Sequence, residues 1–286
     1  MGIKAAELPI DGNGNVYHLG LQPEELAHKI ILVGDPERVP FFSQRLDHIE
    51  LKRSNRELVT HTGDWKGKRI SILSTGMGTD NIDIVLNELD ALANIDLKRR
   101  CPKEGHTTLE MVRIGTSGIL QAEIPMNSFI ASRHSIGLDG LLHFYERKEP
   151  LPGLLEDFCA RTGWETPLPA PYSATADSLL TERIAGSYFQ GITVTAPGFY
   201  GPQCRVLRLP VERKADFVGK ILNRSYNGLP YSNLEMETAG IYGLSGLLGH
   251  HALSISVGIA NRATGEFSAG SRDALMQLFE EVIEKL

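Results

Sequence analysis

Five short apolar runs punctuate the chain: KIILVG at 29–34, RISILSTG at 69–76, EMVRIG at 110–115, GITVTAPG at 191–198 and HALSISVG at 251–258. Continuous apolar runs rich in β-branched residues are the pattern of strands buried on both faces, and a terminal glycine leaves the loop that follows free to carry function. Between these runs the period becomes helical. In residues 80–94, Ile82, Val85, Leu86 and Leu89 recur at helical spacing behind Asp80, which the sequence offers as a cap. Residues 177–187 open on Asp177 in the same way, 236–248 form a third helical stretch, and 270–286 read as an amphipathic C-terminal helix. Strands alternating with helices predict an α/β fold around a largely parallel or mixed sheet. The polar, mixed-charge stretch 96–109 predicts an exposed loop.

The 286 residues suffice for one large α/β domain or two domains, and no linker, repeat or low-complexity stretch divides them. At 42% hydrophobic and 22% charged, the composition is globular and excludes a disordered or fibrous chain. The net charge of −6 argues against non-specific binding to nucleic acid or an anionic membrane, so an anionic ligand would need arginines of its own. Cys101, Cys159 and Cys204 are far apart and contain no CxxC, which excludes a disulfide framework and a zinc site. The opening MGIKAAELPIDGNG lacks the apolar core of a signal peptide. The uncharged stretch 241–260 contains Gly243, Gly246, Gly249 and Gly258 and reads as a helix ending before a strand, not a membrane span. A soluble, cytoplasmic protein is expected.

Candidate chemistry lies in the loops after the apolar runs. Gly34-Asp35-Pro36-Glu37-Arg38 joins a flexible glycine to a guanidinium that can reach back over the turn, a combination suited to phosphate; a plain strand-to-helix turn is the alternative. Arg113-Ile114-Gly115-Thr116-Ser117-Gly118 places an arginine within an apolar run, where it needs either a bound anion or a core carboxylate as partner. Ser74-Thr75-Gly76-Met77-Gly78 is another glycine loop, and it fits neither the Walker A nor the GxGxxG pattern. In Asn233-Leu234-Glu235-Met236-Glu237 two carboxylates at a helix start can accept hydrogen bonds from a diol such as ribose, or simply cap the helix. In Gly198-Phe199-Tyr200-Gly201-Pro202-Gln203-Cys204-Arg205, an extended loop would set Gln203 and Arg205 on one side. There they could read one edge of a pyrimidine-2,4-dione and stabilise charge on its oxygen; a surface turn is the alternative.

Taken in order, VYHLGL, VGDPERV, NREL, STGMG, RIGTSG, GFYGPQCR, NLEMETAG and ANR resemble the nucleoside phosphorylase family, and within it the uridine phosphorylase branch, over nearly the whole chain. The resemblance implies a single α/β domain over 1–286, three-layered, with a central mixed, partly barrel-like sheet flanked by helices. By the same resemblance, Gly34, Arg38, Arg113 and Thr116 match phosphate ligands. Arg56 matches an arginine supplied to the phosphate by the neighbouring subunit, and His18 matches a histidine that reaches the ribose 5′-hydroxyl across the same interface. Glu235, Met236 and Glu237 match the ribose-binding run, Ser117 lies near the sugar, Phe199 matches the ring beside the base, and Gln203 and Arg205 match the uracil readers.

Purine-cleaving relatives carry an aspartate after the late strand to serve N7 of the base; Ile259 stands there in this chain. The family's GxGxPS continuation is replaced by Gly76-Met77-Gly78-Thr79-Asp80-Asn81, so Asn81 occupies the place of a serine that helps some bacterial relatives hold a monovalent cation. The base-reading loop has Gly201-Pro202 in inverted order and Cys204 where an acid is common. The implied reaction is reversible phosphorolysis of uridine in pyrimidine salvage, with inorganic phosphate as co-substrate, no cofactor, Arg205, Gln203 and Arg113 as the catalytic groups, and a homodimer (or a hexamer built from it) as the active unit. The alternatives are another base preference, a hydrolytic nucleosidase and a non-catalytic nucleoside-binding protein.

Overall fold

The computed structural model describes residues 2–212 and 215–286. Strand β1 (Lys29–Val33) shows how the sheet is built. Ile30 and Leu32 pack into one hydrophobic cluster and Ile31 and Val33 into another, so every residue of the run is covered and no polar alternation is possible. The first cluster includes the apolar stripe Ile82, Val85, Leu86, Leu89 and Leu92 of α2 (Thr79–Asn94) and residues of α6 (Thr238–Leu248). The second includes α1 (Arg38–Ser43), α4 (Ser178–Ala185) and α7 (Ser271–Lys285). Helices therefore cover both faces of one sheet, and α3 (Pro152–Thr162) and α5 (Val218–Ile221) pack into a third cluster.

β1 pairs in parallel with β4 (Lys68–Ser74) on one side and β7 (Glu110–Ile119) on the other. Beyond β4 the antiparallel hairpin of β2 (His48–Asn55) and β3 (Leu58–Trp65) forms the sheet's edge. Beyond β7 the order is β13 (His251–Asn261), β8 (Phe129–Gly137), β10 (Phe189–Thr195) and β12 (Leu229–Glu235), with β9 (Tyr172–Thr175) paired to β8 and β11 (Ser225–Tyr226) to β12. β12 then returns to β7 through Asn233↔Ile119 and Leu234↔Gly118, closing a five-stranded, barrel-like ring. The predicted mixed α/β sheet flanked by helices is the observed one.

Details differ from the sequence reading where distant residues intervene. The cap of α2 is Gly78, not Asp80; the Gly78 N–H donates at 2.8 Å to Glu237, a carboxylate 159 residues away. Asp177 caps α4 as expected, accepting from Leu180 N–H at 2.8 Å. The stretch 96–109 begins as a short hairpin, β5 (Ile95–Asp96) against β6 (Cys101–Pro102), its turn drawn in by Asp96 accepting from the backbones of Lys98 and Arg99. The uncharged stretch 241–260 is most of α6, a left-handed Gly249 and β13. Among the described residues no helix is long and apolar enough to cross a membrane.

Candidate active site

The carboxyl ends of β1, β4, β7, β12 and β13 and the loop after β10 open onto one cavity of about 960 Å³. Open α/β sheets bind ligands in such a place, because strand ends deliver loops and unpaired backbone groups there. Gly34, Arg38, Arg113, Thr116, Ser117, Phe199, Gln203, Arg205, Glu235, Met236 and Glu237, brought from four separate stretches of chain, all line it.

At one end two guanidiniums approach each other. Arg113 is 4% exposed; burial lowers its pKa, and Glu237 and Glu235 outweigh burial and raise it. Its Nη2 pairs with Glu237 Oε2, and its Nη1 lies 3.5 Å from Glu235 Oε2. Arg113 has therefore found a core carboxylate, yet its buried Nε has no partner among the described residues. Gly115 is required by this arrangement: a Cβ there would stand 2.1 Å from Arg113 Nη1. The half-buried Arg38 is pushed below its ordinary pKa by burial and then by the charge of Arg113. Two cations that disfavour each other beside flexible Gly34 and the Thr116 hydroxyl form a site that an oxyanion would stabilise.

The two carboxylates after β12 divide their work. Glu235 is spent on structure: its Oε2 accepts from Glu237 N, Thr238 N and Thr238 Oγ1 at 2.8–3.0 Å, and its Oε1 accepts from Thr195 at 2.6 Å. It caps α6. Glu237 faces Arg113 and the Gly78 N–H, and burial followed by the charge of Glu235 raises its pKa. Ser117 Oγ accepts from Asn233 Nδ2 at 3.0 Å, so Asn233, a residue that sequence reasoning did not single out, orients it.

At the other end Gln203 is 2% exposed. The loop that holds it is not extended, as the sequence suggested; a turn over Gly201–Gln203 and a left-handed Cys204 fold Arg205 back over it. Arg205 Nη1 donates to Gln203 Oε1 at 2.6 Å and to the Phe199 carbonyl at 2.8 Å, and its guanidinium lies 3.8 Å from the centre of the Phe199 ring. Arg262 Nη1 donates at 2.9 Å to the Gln203 carbonyl, clamping the turn from behind. Arg262 lay in the ANR motif, but nothing in the sequence assigned it a partner. Ile259 lines the cavity and offers no proton donor or acceptor.

Two expected site residues stand elsewhere. His18 and Arg56 do not line the cavity of their own chain. His18 is held against Glu88, and Arg56 lies with its guanidinium 5.6 Å from the ring centre of Tyr17. Asn55 joins them, donating from Nδ2 to the carbonyls of Tyr17 and His18 at 2.9 Å.

Asp90, His106 and His250 converge closely enough to suggest a metal site. Leu109 N–H donates to His250 Nδ1 at 3.2 Å, so the neutral ring carries its proton on Nε2, facing Asp90. A protonated nitrogen cannot ligate, so the cluster fits a structural histidine–aspartate pair better than a cation.

A family model described as Phosphorylase superfamily matches residues 28–286. The chain belongs to the phosphorylase superfamily. A uridine phosphorylase from Thermococcus kodakarensis is 29% identical over 97% of this chain and 89% of its own. A DeoD-type purine nucleoside phosphorylase from Bacillus cereus is 26% identical over 93% of this chain and 95% of its own. Among solved structures, a Trypanosoma brucei nucleoside phosphorylase described as showing uridine phosphorylase activity is 30% identical, with a TM-score of 0.87, covering 98% of this chain and 99% of that one. Pyrimidine and purine enzymes of the superfamily thus both resemble this member over most of its length.

Proposed function

We propose that this protein catalyses the reversible phosphorolysis of uridine to uracil and ribose 1-phosphate. The observation that carries the reading is Gln203, buried and clamped by Arg205 and Arg262 at the end of the cavity opposite the Arg38–Arg113 pair. An amide presents one donor and one acceptor, matching the N3–H and a carbonyl of the uracil edge, and Arg205 supplies a charged donor to the second carbonyl. Ile259 leaves a purine N7 without an acid. The names of the Thermococcus and Trypanosoma proteins support the same reading.

In this mechanism phosphate rests on Arg38, Arg113, Thr116 and the Gly34 backbone, and Met236 and Glu237 hold the ribose with C1′ towards it. A phosphate oxygen bonds to C1′ as the C1′–N1 bond breaks. The electron pair passes to the base, is spread over its ring nitrogen and oxygens beside Arg205 and Gln203, and is neutralised by a proton from solvent. Positioning and electrostatics do the work; no covalent enzyme intermediate and no cofactor is needed. A nucleoside panel followed by base release tests the reading. Uracil should appear from uridine only when phosphate is present, and inosine should react about 10²-fold more slowly or worse, since its N7 lacks a partner. Release that persists without phosphate would instead identify a hydrolase, and uridine binding without product a binding protein.

The reading also makes the homodimer the minimal active unit, because His18 and Arg56 turn away from their own cavity and so would serve a neighbour's. Arg56→Ala and Arg205→Ala variants, each impaired alone, should complement when unfolded together and reassembled. Half of the random dimers are mixed and each has one intact site of two, so activity recovers to about a quarter of the wild-type value. No gain over the separate variants would exclude a shared site.

A further inference from the structure

His18 is held by a carboxylate to which neither the motifs nor the family resemblance assigned a role. Glu88 lies on α2, is 6% exposed, and sends both oxygens to the His18–Leu19 backbone and to the His18 ring. Its Oε2 accepts from Leu19 N at 2.8 Å and from His18 N at 3.1 Å, while Oε1 stands 2.6 Å from His18 Nδ1. An ionised carboxylate has no proton to give, so the proton of the short ring contact belongs to Nδ1. Nε2 of the neutral ring is then a bare lone pair at the outer edge of a side chain 28% exposed. Free histidine prefers the opposite tautomer, with the proton on Nε2, so Glu88 selects the less common form. The Tyr17 ring stands edge-on to the imidazole at 5.0 Å, and Asn55 fixes the backbone on the other side, which leaves the ring one orientation.

We propose that Glu88 is the positioning residue of His18, holding it in the Nδ1–H tautomer so that Nε2 accepts the hydrogen bond of the ribose 5′-hydroxyl in the neighbouring subunit's cavity. The inference rests on the reading of the protein as a dimeric uridine phosphorylase. A hydroxyl is the chemistry that a bare imidazole nitrogen recognises, whereas a 5′-deoxy sugar leaves that nitrogen buried and unpaired. Phosphate and sugar are then gripped across the interface by one body, because Asn55 joins the histidine to the Arg56 turn.

The first measurement needs no variant. Nitrogen-15 NMR of the wild-type enzyme above the imidazole titration, with the His18 signals assigned by their loss in His18→Ala, should show the Nδ1–H tautomer; an Nε2–H ring would overturn the proposal. The second is the ratio of kcat/KM for uridine over 5′-deoxyuridine. Glu88→Gln keeps the side chain's size but can offer an N–H to Nδ1, and the ratio should fall about tenfold, the worth of one lost hydrogen bond, to the value of His18→Ala. Glu88→Gln added to His18→Ala should lower it no further. A Glu88 that only pinned the backbone would change thermal stability and leave the ratio intact, which would overturn the proposal. If His18→Ala itself leaves the ratio unchanged while uracil release stays phosphate-dependent, the sugar contact falls and the Glu88 role with it, whereas the phosphorolysis reading stands.

Discussion

Arg205→Ala should lower kcat and kcat/KM for uridine together, by about 10²–10³-fold, with a smaller change in KM. The asymmetry follows from when the charge appears. Uracil is neutral in bound uridine and anionic as the C1′–N1 bond opens, so a cation at its edge strengthens its interaction only as the transition state forms. The structure gives Arg205 the partners that this task requires. It rests on the Phe199 ring and on two neutral oxygens, those of the Phe199 backbone and the Gln203 amide. Among the described residues no carboxylate forms an ion pair with it, so its charge is left for a ligand. Burial and then the neighbouring Arg262 push its pKa down, to about 10, which leaves it charged at neutral pH. Because the shift is downward, uridine turnover should decline as pH rises towards 10, where the proton begins to leave. Arg205→Lys should recover only part of the loss, since an ammonium keeps the charge but not the planar fork that bonds to Gln203 while stacking on Phe199. Steady-state kinetics on uridine check each point, and near-normal turnover by Arg205→Ala would remove the residue from the mechanism.

What was legible in the sequence was what the fold buries on both sides. The runs at 29–34, 69–76, 110–115, 191–198 and 251–258 are strands because their apolar residues fill the hydrophobic clusters between sheet and helices. The hairpin of β2 and β3 escaped notice because it is the sheet's edge. Alternate residues of β2 face solvent: His48, Glu50, Lys52 and Ser54 are exposed, as on a one-sided strand. β7 and β13 outrun their glycines because closing the ring needs pairing partners as far as Ile119 and Asn261. The site residues were legible as a set but not in their division of labour. Glu235 and Glu237 are chemically identical and two positions apart; only the placement of Thr195 and Thr238 around one, and of the Gly78 N–H and Arg113 Nη2 against the other, separates a carboxylate held by the start of α6 from one that takes the closer ion pair. Gln203 and Arg205 meet through a turn whose left-handed residue is a cysteine, a type that gives no local signal for that conformation. Glu88 looked like any polar residue of an amphipathic helix, because its partners lie about 70 residues earlier in the chain.

Arg113→Met should cost more than activity. The arginine is the only cation paired with the buried carboxylates of Glu235 and Glu237 among the described residues, and replacing it with an apolar side chain of similar length leaves both unpaired in the interior. Removing one member of a buried ion pair typically costs about 3–5 kcal/mol, because the remaining charge stays desolvated. For a chain of this size that corresponds to a fall in Tm on the order of 10 °C. Its pH dependence distinguishes charge from packing. Burial and the charge of Glu235 already raise the pKa of Glu237, and Arg113 and the Gly78 N–H oppose them. Without the arginine the opposition weakens and the pKa rises further. A carboxyl with a raised folded-state pKa binds a proton in the native protein that the unfolded chain has already lost, so stability falls as pH rises from the ordinary carboxylate range through the raised value. Calorimetry should therefore find the variant's deficit smaller in mildly acidic buffer, towards which Glu237 takes up a proton, and full in mildly alkaline buffer. A deficit of the same size at both pH values would mean that Arg113 is missed for its volume and not for its charge. Arg205→Ala is the internal contrast: with no carboxylate to strand, it should lose turnover without acquiring this pH-dependent loss of stability.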